Sequence, residues 1–307
     1  MFSYIVRRLT VAVPTILILI TISFVLMWSA PGSPFMGEKL PPPEVMANLE
    51  AKYGLDQPYW KQYIDYLSNV IFHFDFGPSF KFKDRTVNDI ISQGFPVTLT
   101  YGFWSFIVAV TFGVGLGVTA AIRHNTWLDY LAVGFAIGSQ SIPNYVMAPI
   151  LVLVFTLWLG WLPGGGWEGG TWDHIIMPVI ALSTSYFASI ARITRSSMLE
   201  VLNSGFIRTA KAKGLPMSRV IIKHALKPAL LPVLSYLGPA FVGMVTGSVI
   251  IDQYFSTGGI GQFFVNSAFN RDYSTMMGIT ILVGTLTILF NLLVDVLYAW
   301  IDPKIRY

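Results

Sequence analysis

Six long windows of the chain contain no Asp, Glu, Lys or Arg: residues 9–28, 97–122, 130–167, 174–191, 228–251 and 273–294. A helix needs roughly 20 mostly apolar residues to cross a hydrocarbon core about 30 Å thick. Every window meets or nearly meets that length. No water is available in lipid to pair backbone N–H and C=O groups, so each window is expected to be a helix that satisfies its own backbone. The glycines and prolines inside the windows, among them Gly113, Gly115, Gly117, Pro143, Pro149, Pro232 and Pro239, would be costly in soluble helices. They are tolerated in membrane bundles, where neighbours supply the missing bonds and small residues allow close approach. The expected fold class is an all-α integral membrane protein with six transmembrane helices.

The third window is ambiguous. As one straight helix, residues 130–167 would run to roughly 57 Å, so it is either one span with interfacial ends or two spans turning at Pro143-Asn144. Flanking charge decides, because cytoplasmic flanks carry excess Lys and Arg. Arg7 and Arg8 put the N-terminus inside. The segment from 31 to 96 holds six basic and eight acidic residues and suits the outside. Between 192 and 227 lie Arg192, Arg195, Arg208, Lys211, Lys213, Arg219, Lys223 and Lys227 against the single Glu200, a net +7. This loop belongs inside, which requires one span in the third window. Lys304 and Arg306 then place the C-terminus inside as well. The first window is longer than a signal-peptide core, and Pro31 follows its nearest small-residue site, so it is read as a retained anchor.

The implied organisation is an N-terminal transmembrane helix (1–30), a periplasmic segment (31–96), a five-helix membrane domain (97–301) and a short cytoplasmic tail (302–307). The outside segment is too short to enclose a sizeable core of its own and reads as a cap, with helices at 44–53, 57–72 and 87–93. The loop at 161–172 carries Trp161, Trp167 and Trp172 among glycines. No Gly-Lys-Ser/Thr follows, so it is no phosphate cradle; its tryptophans suit a membrane interface. Gly113, Gly115 and Gly117 read as a helix-packing surface rather than a nucleotide fingerprint.

Composition sharpens the exclusions. The chain of 307 residues is 54% hydrophobic and only 12% charged, about half the charge of a typical soluble domain. An ordinary soluble enzyme is therefore disfavoured. There is no cysteine, and His73, His124, His174 and His224 are far apart, so neither thiolate chemistry nor a histidine metal pair is expected.

The basic inside loop contains a short helix. Asn203 or Ser204 is placed to cap it, Gly214 sits where a left-handed C-terminal cap belongs, and Pro216 prevents continuation. Phe206, Ile207 and Ala210 are expected to share one face. So short a helix is unstable alone and needs a surface, either anionic lipid or a groove in a partner protein.

A resemblance favours the groove. Arg208-Thr209-Ala210-Lys211-Ala212-Lys213-Gly214-Leu215-Pro216, with His224-Ala225-Leu226-Lys227-Pro228-Ala229-Leu230-Leu231-Pro232, resembles the cytoplasmic Glu-Ala-Ala loop of permease subunits of bacterial ATP-binding-cassette importers. Ala210, Gly214 and Leu226 fall in register. Arg208 and Thr209 replace Glu-Ala, as is typical of the peptide branch. Tyr53-Gly54-Leu55-Asp56-Gln57-Pro58, Asp75-Phe76-Gly77-Pro78-Ser79, Trp161-Leu162-Pro163-Gly164-Gly165-Gly166-Trp167, Gly258-Gly259-Ile260-Gly261-Gln262 and Asn270-Arg271-Asp272-Tyr273 are similar to that branch, the B-type oligopeptide-permease subunits in particular.

The resemblance implies a non-catalytic translocation subunit for oligopeptides in the bacterial inner membrane. Its implied partners are a second, C-type permease subunit, two cytoplasmic ATPase subunits of D- and F-type, and a periplasmic oligopeptide-binding protein. No cofactor is expected in this chain, since ATP and Mg would be bound by the ATPase subunits, and no nucleic acid is involved. Phe206, Ile207, Arg208, Thr209, Ala210, Lys211, Ala212, Lys213 and Gly214 would form the coupling helix. Polar residues within spans avoid lipid, so Ser139, Gln140, Ser141, Asn144, Ser183, Thr184, Ser185, Thr246 and Ser248 are candidates to line the pathway, unless they only bond helices to one another. Asn270, Arg271 and Asp272 are the candidate docking site for the binding protein, with an interfacial ion pair as the alternative. Asp295, near the inner end of the last span, is expected to pair at the interface rather than relay protons. The runner-up class is an ion-coupled secondary carrier.

Overall fold

The computed structural model of the chain describes residues 2–29, 35, 42–82, 84–246 and 249–301. It is helical throughout, with one isolated β-bridge between Pro78 and Thr86 among the described residues. Among the described residues thirteen helices follow one another: α1 (Phe2–Ser29), α2 (Pro43–Lys52), α3 (Tyr59–Ser68), α4 (Val87–Ile122), α5 (Trp127–Ser141), α6 (Asn144–Leu151), α7 (Trp172–Leu202), α8 (Gly205–Ala212), α9 (Met217–Arg219), α10 (Leu226–Val245), α11 (Val249–Phe255), α12 (Ile260–Asn270) and α13 (Tyr273–Ile301). Wider π turns extend three of them, at Asn69–His73, Val152–Trp158 and Val220–Ala225.

Among the described residues five stretches are long and apolar enough to cross a membrane: Leu9–Ser29, Val87–Ile122, Trp172–Leu202, Met217–Phe255 and Tyr273–Val294. The third window is broken. Its arms, Trp127–Ser141 and Asn144–Trp158, meet at 101°, because Ile142 leaves the helical region and Pro143 is extended before Asn144 restarts the helix. Each arm has 15 residues, about 22 Å of helix, short of the hydrocarbon thickness. Counted as one broken span, the pair brings the number to six.

Two expected boundaries move. The helix expected at 87–93 does not stand apart from the second span, because α4 runs unbroken for 36 residues through Pro96. The Thr86 hydroxyl accepts from the Asp89 N–H at 3.1 Å while the Asp89 carboxylate accepts from the Thr86 N–H at 2.9 Å. This reciprocal cap fixes the start of α4 ten residues upstream. The domain boundary drawn at 96/97 therefore falls inside one helix. Likewise α7 continues eleven residues past its charge-free window, carrying Arg192 and Arg195 toward α8.

The centre of the molecule is the contact of α4 with α7, joined by α10. Tyr101, Ala109, Leu182, Phe187, Ile190, Ala240 and Met244 are buried there. Gly113 and Gly117 let the two backbones approach: a Cβ on Gly117 would lie 2.6 Å from the Ala191 carbonyl oxygen. Gly115, two residues on from Gly113, faces open space. The packing surface expected from the three glycines thus consists of two, spaced one turn apart. α1 packs against α13, with Ile20, Phe24, Met277 and Ile281 buried together with Val70 from the cap. Thr21 and Trp28 on α1 hydrogen-bond Tyr63 (2.7 Å) and Gln62 (3.2 Å) on α3.

Candidate functional site

α8 is fixed from beneath and shaped at its end. Ile207 is fully buried and Ala210 nearly so, against Ala121 of α4, Met198 of α7, Val220, Ala225 and Ala229. Gly214 takes φ = +75°, its N–H bonds to Lys211 O at 2.9 Å and the Leu215 N–H to Ala210 O at 3.4 Å. This is the Schellman ending, which needs a residue without a Cβ. Two expectations are corrected. Phe206 does not share the buried face; its side chain is 52% exposed, because Ile207, 100° further round the helix, takes the inner position. Ser204 occupies the N-cap but does not cap with its side chain; its hydroxyl donates back to Val201 O at 2.6 Å, and the Asn203 amide bonds Leu199 O. The outward surface therefore combines apolar Phe206, Met217 and Ile222 with cationic Arg208, Lys211 and Lys213, all exposed. Such a surface suits a partner offering both an apolar groove and negative charge.

The polar residues proposed for the pathway separate into groups. Ser139, Ser183 and Thr184 line one cavity of about 580 Å³ between α4, α5 and α7, whose remaining walls are apolar, with Phe112, Phe135 and Phe187 prominent. Ser183 and Thr184 donate to Ile180 O of their own helix. Ser141 and Thr246 do the same to Ile137 O and Val242 O. Ser185 donates to the Asn144 side chain at 3.3 Å, tying α7 to the start of α6 beside the break. Gln140 is exposed near that break. Ser248 and the side chain of Asp295 lie outside the described residues.

Asn270 and Arg271 are exposed, with Arg271 in the left-handed conformation that ends α12. Asp272 is not at the surface. It is fully buried and accepts from Ser79 Oγ at 2.5 Å, Phe80 N at 3.1 Å and Thr275 Oγ1 at 2.8 Å. Burying a carboxylate without such donors is prohibitive. Asp272 is therefore a knot that ties the cap to the start of α13, and of the expected docking triplet two residues remain available.

Two acidic sites escaped the sequence reading. Asp252, just beyond the uncharged fifth window, is fully buried. It accepts from Thr257 Oγ1, from Thr98 Oγ1 of α4 at 3.2 Å and from Gly261 N at 3.0 Å, capping α12 and binding it to α4. Gly259 and Gly261 leave the room this requires. The Asp252-x4-Thr257-Gly-Gly spacing was the available signal. Asp129, the acid of the first turn of α5, forks with Arg195 of α7; it stands outside every charge-free window, and its partner is 66 residues away in sequence. The Trp-rich loop packs inward at Gly166, whose N–H bonds Phe255 O at 2.7 Å, and Trp172 meets Trp104 edge to face with ring centroids 4.9 Å apart.

Comparison with known proteins supplies the context. Residues 113–307 match the family described as binding-protein-dependent transport system inner membrane component, and residues 1–102 match the N-terminal region of such membrane components. The oligopeptide transport system permease protein OppB of Salmonella typhimurium is 60% identical over 307 residues, all of both chains. The dipeptide transport system permease protein DppB of Bacillus subtilis is 43% identical over 306 residues, covering 100% of this chain and 98% of its own. Among solved structures, the inward-facing MetNI methionine ABC transporter aligns with a TM-score of 0.60 at 18% identity, over 70% of this chain and 97% of its own. At that identity the match concerns the fold alone. A helical bundle joined to a short helix capped at Gly214, matched from end to end by these relatives, makes the chain a member of the family of inner membrane components of binding-protein-dependent transport systems.

Proposed function

We propose that this chain is a non-catalytic permease subunit of an ATP-driven oligopeptide importer in the bacterial inner membrane. It forms the pathway with a second, C-type permease subunit. D- and F-type ATPase subunits bind ATP and Mg, and a periplasmic oligopeptide-binding protein delivers cargo. Residues 1–30 anchor the chain, 31–96 lie in the periplasm, 97–301 form the membrane domain and 302–307 a cytoplasmic tail, with both termini inside.

The observation that carries this reading is α8. It is held to the bundle by Ile207 and Ala210, closed by Gly214, and presents Phe206, Arg208, Lys211 and Lys213 outward. That arrangement supports a coupling helix seated in an ATPase groove, and full-length similarity to oligopeptide and dipeptide permeases supports the cargo class. Asn270 and Arg271 remain the docking candidates, and Ser139, Ser183 and Thr184 the pathway candidates that share one cavity. Cargo selectivity resides chiefly in the binding protein, since a path for many peptide sequences gains nothing by gripping side chains.

The test is co-purification followed by reconstitution. The complex is expected to accumulate peptide inside vesicles only with ATP inside and binding protein outside. Uptake by this chain without ATPase partners, driven by an ion gradient, would establish the secondary-carrier class and overturn the proposal.

A further inference from the structure

The ion pair between Asp129 and Arg195 has no part in the surfaces assigned above. The Asp129 side chain is 1% exposed and that of Arg195 26%. Arg195 Nε donates to Oδ1 at 2.6 Å and Nη2 to Oδ2 at 2.8 Å. Oδ2 also accepts the Asn125 N–H at 3.0 Å, and His124 Nδ1 lies 3.1 Å away. A planar guanidinium forked onto a carboxylate admits essentially one relative orientation. The pair therefore fixes the first turn of α5 to α7.

Its position gives it leverage. From Arg195, α7 runs seven residues to Leu202 and then through Asn203-Ser204 into α8. Met198 and Leu199 on that stretch pack with Ile207 and Ala210, so α8 cannot shift without this end of α7. The core beneath α8 draws on α4, α7 and residues 220–229, and on no residue of α5 among the described residues. Beside the ion pair, the contact of α5 with α4 and α7 encloses a cavity of about 240 Å³ whose wall mixes small residues such as Ala132, Ala136 and Ala188 with the larger Leu116, Gln140 and Arg192. Atoms lining a void lack partners on one side and forfeit those contacts, so packing contributes less to the α5–α7 join there. The ion pair is the directional link at the α8 end of α7; the Ser185–Asn144 bond joins α7 to α6 ten residues further from α8.

We propose that Asp129 and Arg195 are positioning residues: a strut that makes the bent α5–α6 pair follow α8, so that ATP hydrolysis is converted into movement of the pathway. The inference rests on reading α8 as the contact with the ATPase.

The test uses the complete transporter in proteoliposomes with its binding protein, measuring peptide uptake and ATP hydrolysis in the same vesicles. Asp129→Asn and Arg195→Gln are expected to co-purify with all partners and keep hydrolysing ATP, while peptide moved per ATP falls about fivefold or more, the lower end of typical coupling between sites. Arg195→Lys, which keeps the charge and one bond, is expected to recover part of that ratio. Arg192→Gln, on the same helix but outside the pair, should leave it at the wild-type value. A wild-type ratio in Asp129→Asn and Arg195→Gln would overturn the strut. So would an equal loss of hydrolysis and uptake, the mark of residues needed only for assembly. Failure of the wild-type complex to take up peptide with ATP would instead overturn the underlying function, whatever the variants do.

Discussion

Gly115 and Gly117 stand two residues apart on α4, yet adding a methyl group is expected to have opposite effects at the two positions. At Gly117 the new Cβ would lie 2.5 Å from Thr194 Cβ and 2.6 Å from the Ala191 carbonyl oxygen; at Gly113 it would lie 2.7 Å from Ile190 Cγ2 and 2.9 Å from Phe187 O. A backbone oxygen cannot rotate away, and Thr194 is fully buried. Relief requires α4 and α7 to separate where Ala188, Ile190 and Ala191 are buried. Overpacking of this kind costs about 1–3 kcal/mol, and the separation adds lost contact along the interface. At Gly115 nothing lies within 4 Å of the added atom, and replacing glycine by alanine in a helix gains about 0.5–1 kcal/mol. That helical gain applies at both positions and cancels, so the two variants should differ by the overpacking cost, about 1–3 kcal/mol. Equilibrium unfolding of the purified protein by SDS in mixed micelles, followed by tryptophan fluorescence, reads the difference. Gly117→Ala as stable as wild type, or Gly115→Ala as damaging as Gly117→Ala, would refute the account of the α4–α7 contact.

Asp272→Ala should release the cap rather than unfold the bundle: it strands the Ser79 and Thr275 hydroxyls, each orphaned buried group costing about 1–3 kcal/mol, so trypsin should cut at Lys81 or Arg85 faster while the membrane helices stay intact. Unchanged cleavage would show that the knot does not hold the cap. For α8, Arg208→Glu is expected to lower ATPase stimulation without destabilising the bundle, since Arg208 is exposed; a cross-linking scan of residues 206–213 that finds only lipid, together with intact stimulation, would reject the groove.

The sequence by itself determined which segments leave water and that they do so as helices. Charge-free windows are a one-dimensional signal, and backbone pairing in lipid leaves a helix little alternative. It also marked the α8 ending, because Gly214 is a local requirement of the chain's own turn. Facing directions were decided only by the tertiary structure. Phe206 and Ile207 are equally apolar, but only Ile207 meets Met198 and Val220. Gly113 and Gly117 face α7 and Gly115 does not. Asp272, read from its neighbours as a surface charge, is buried because Ser79, nearly two hundred residues earlier, comes to bond it. Pro143 signalled an interruption, yet whether it kinks a span or turns it through 101° depends on the helices packed around it. Asp129 became legible only when α7 brought Arg195 beside it. A carboxylate's role follows from the partner that satisfies it, and partners distant in sequence meet only in the folded bundle.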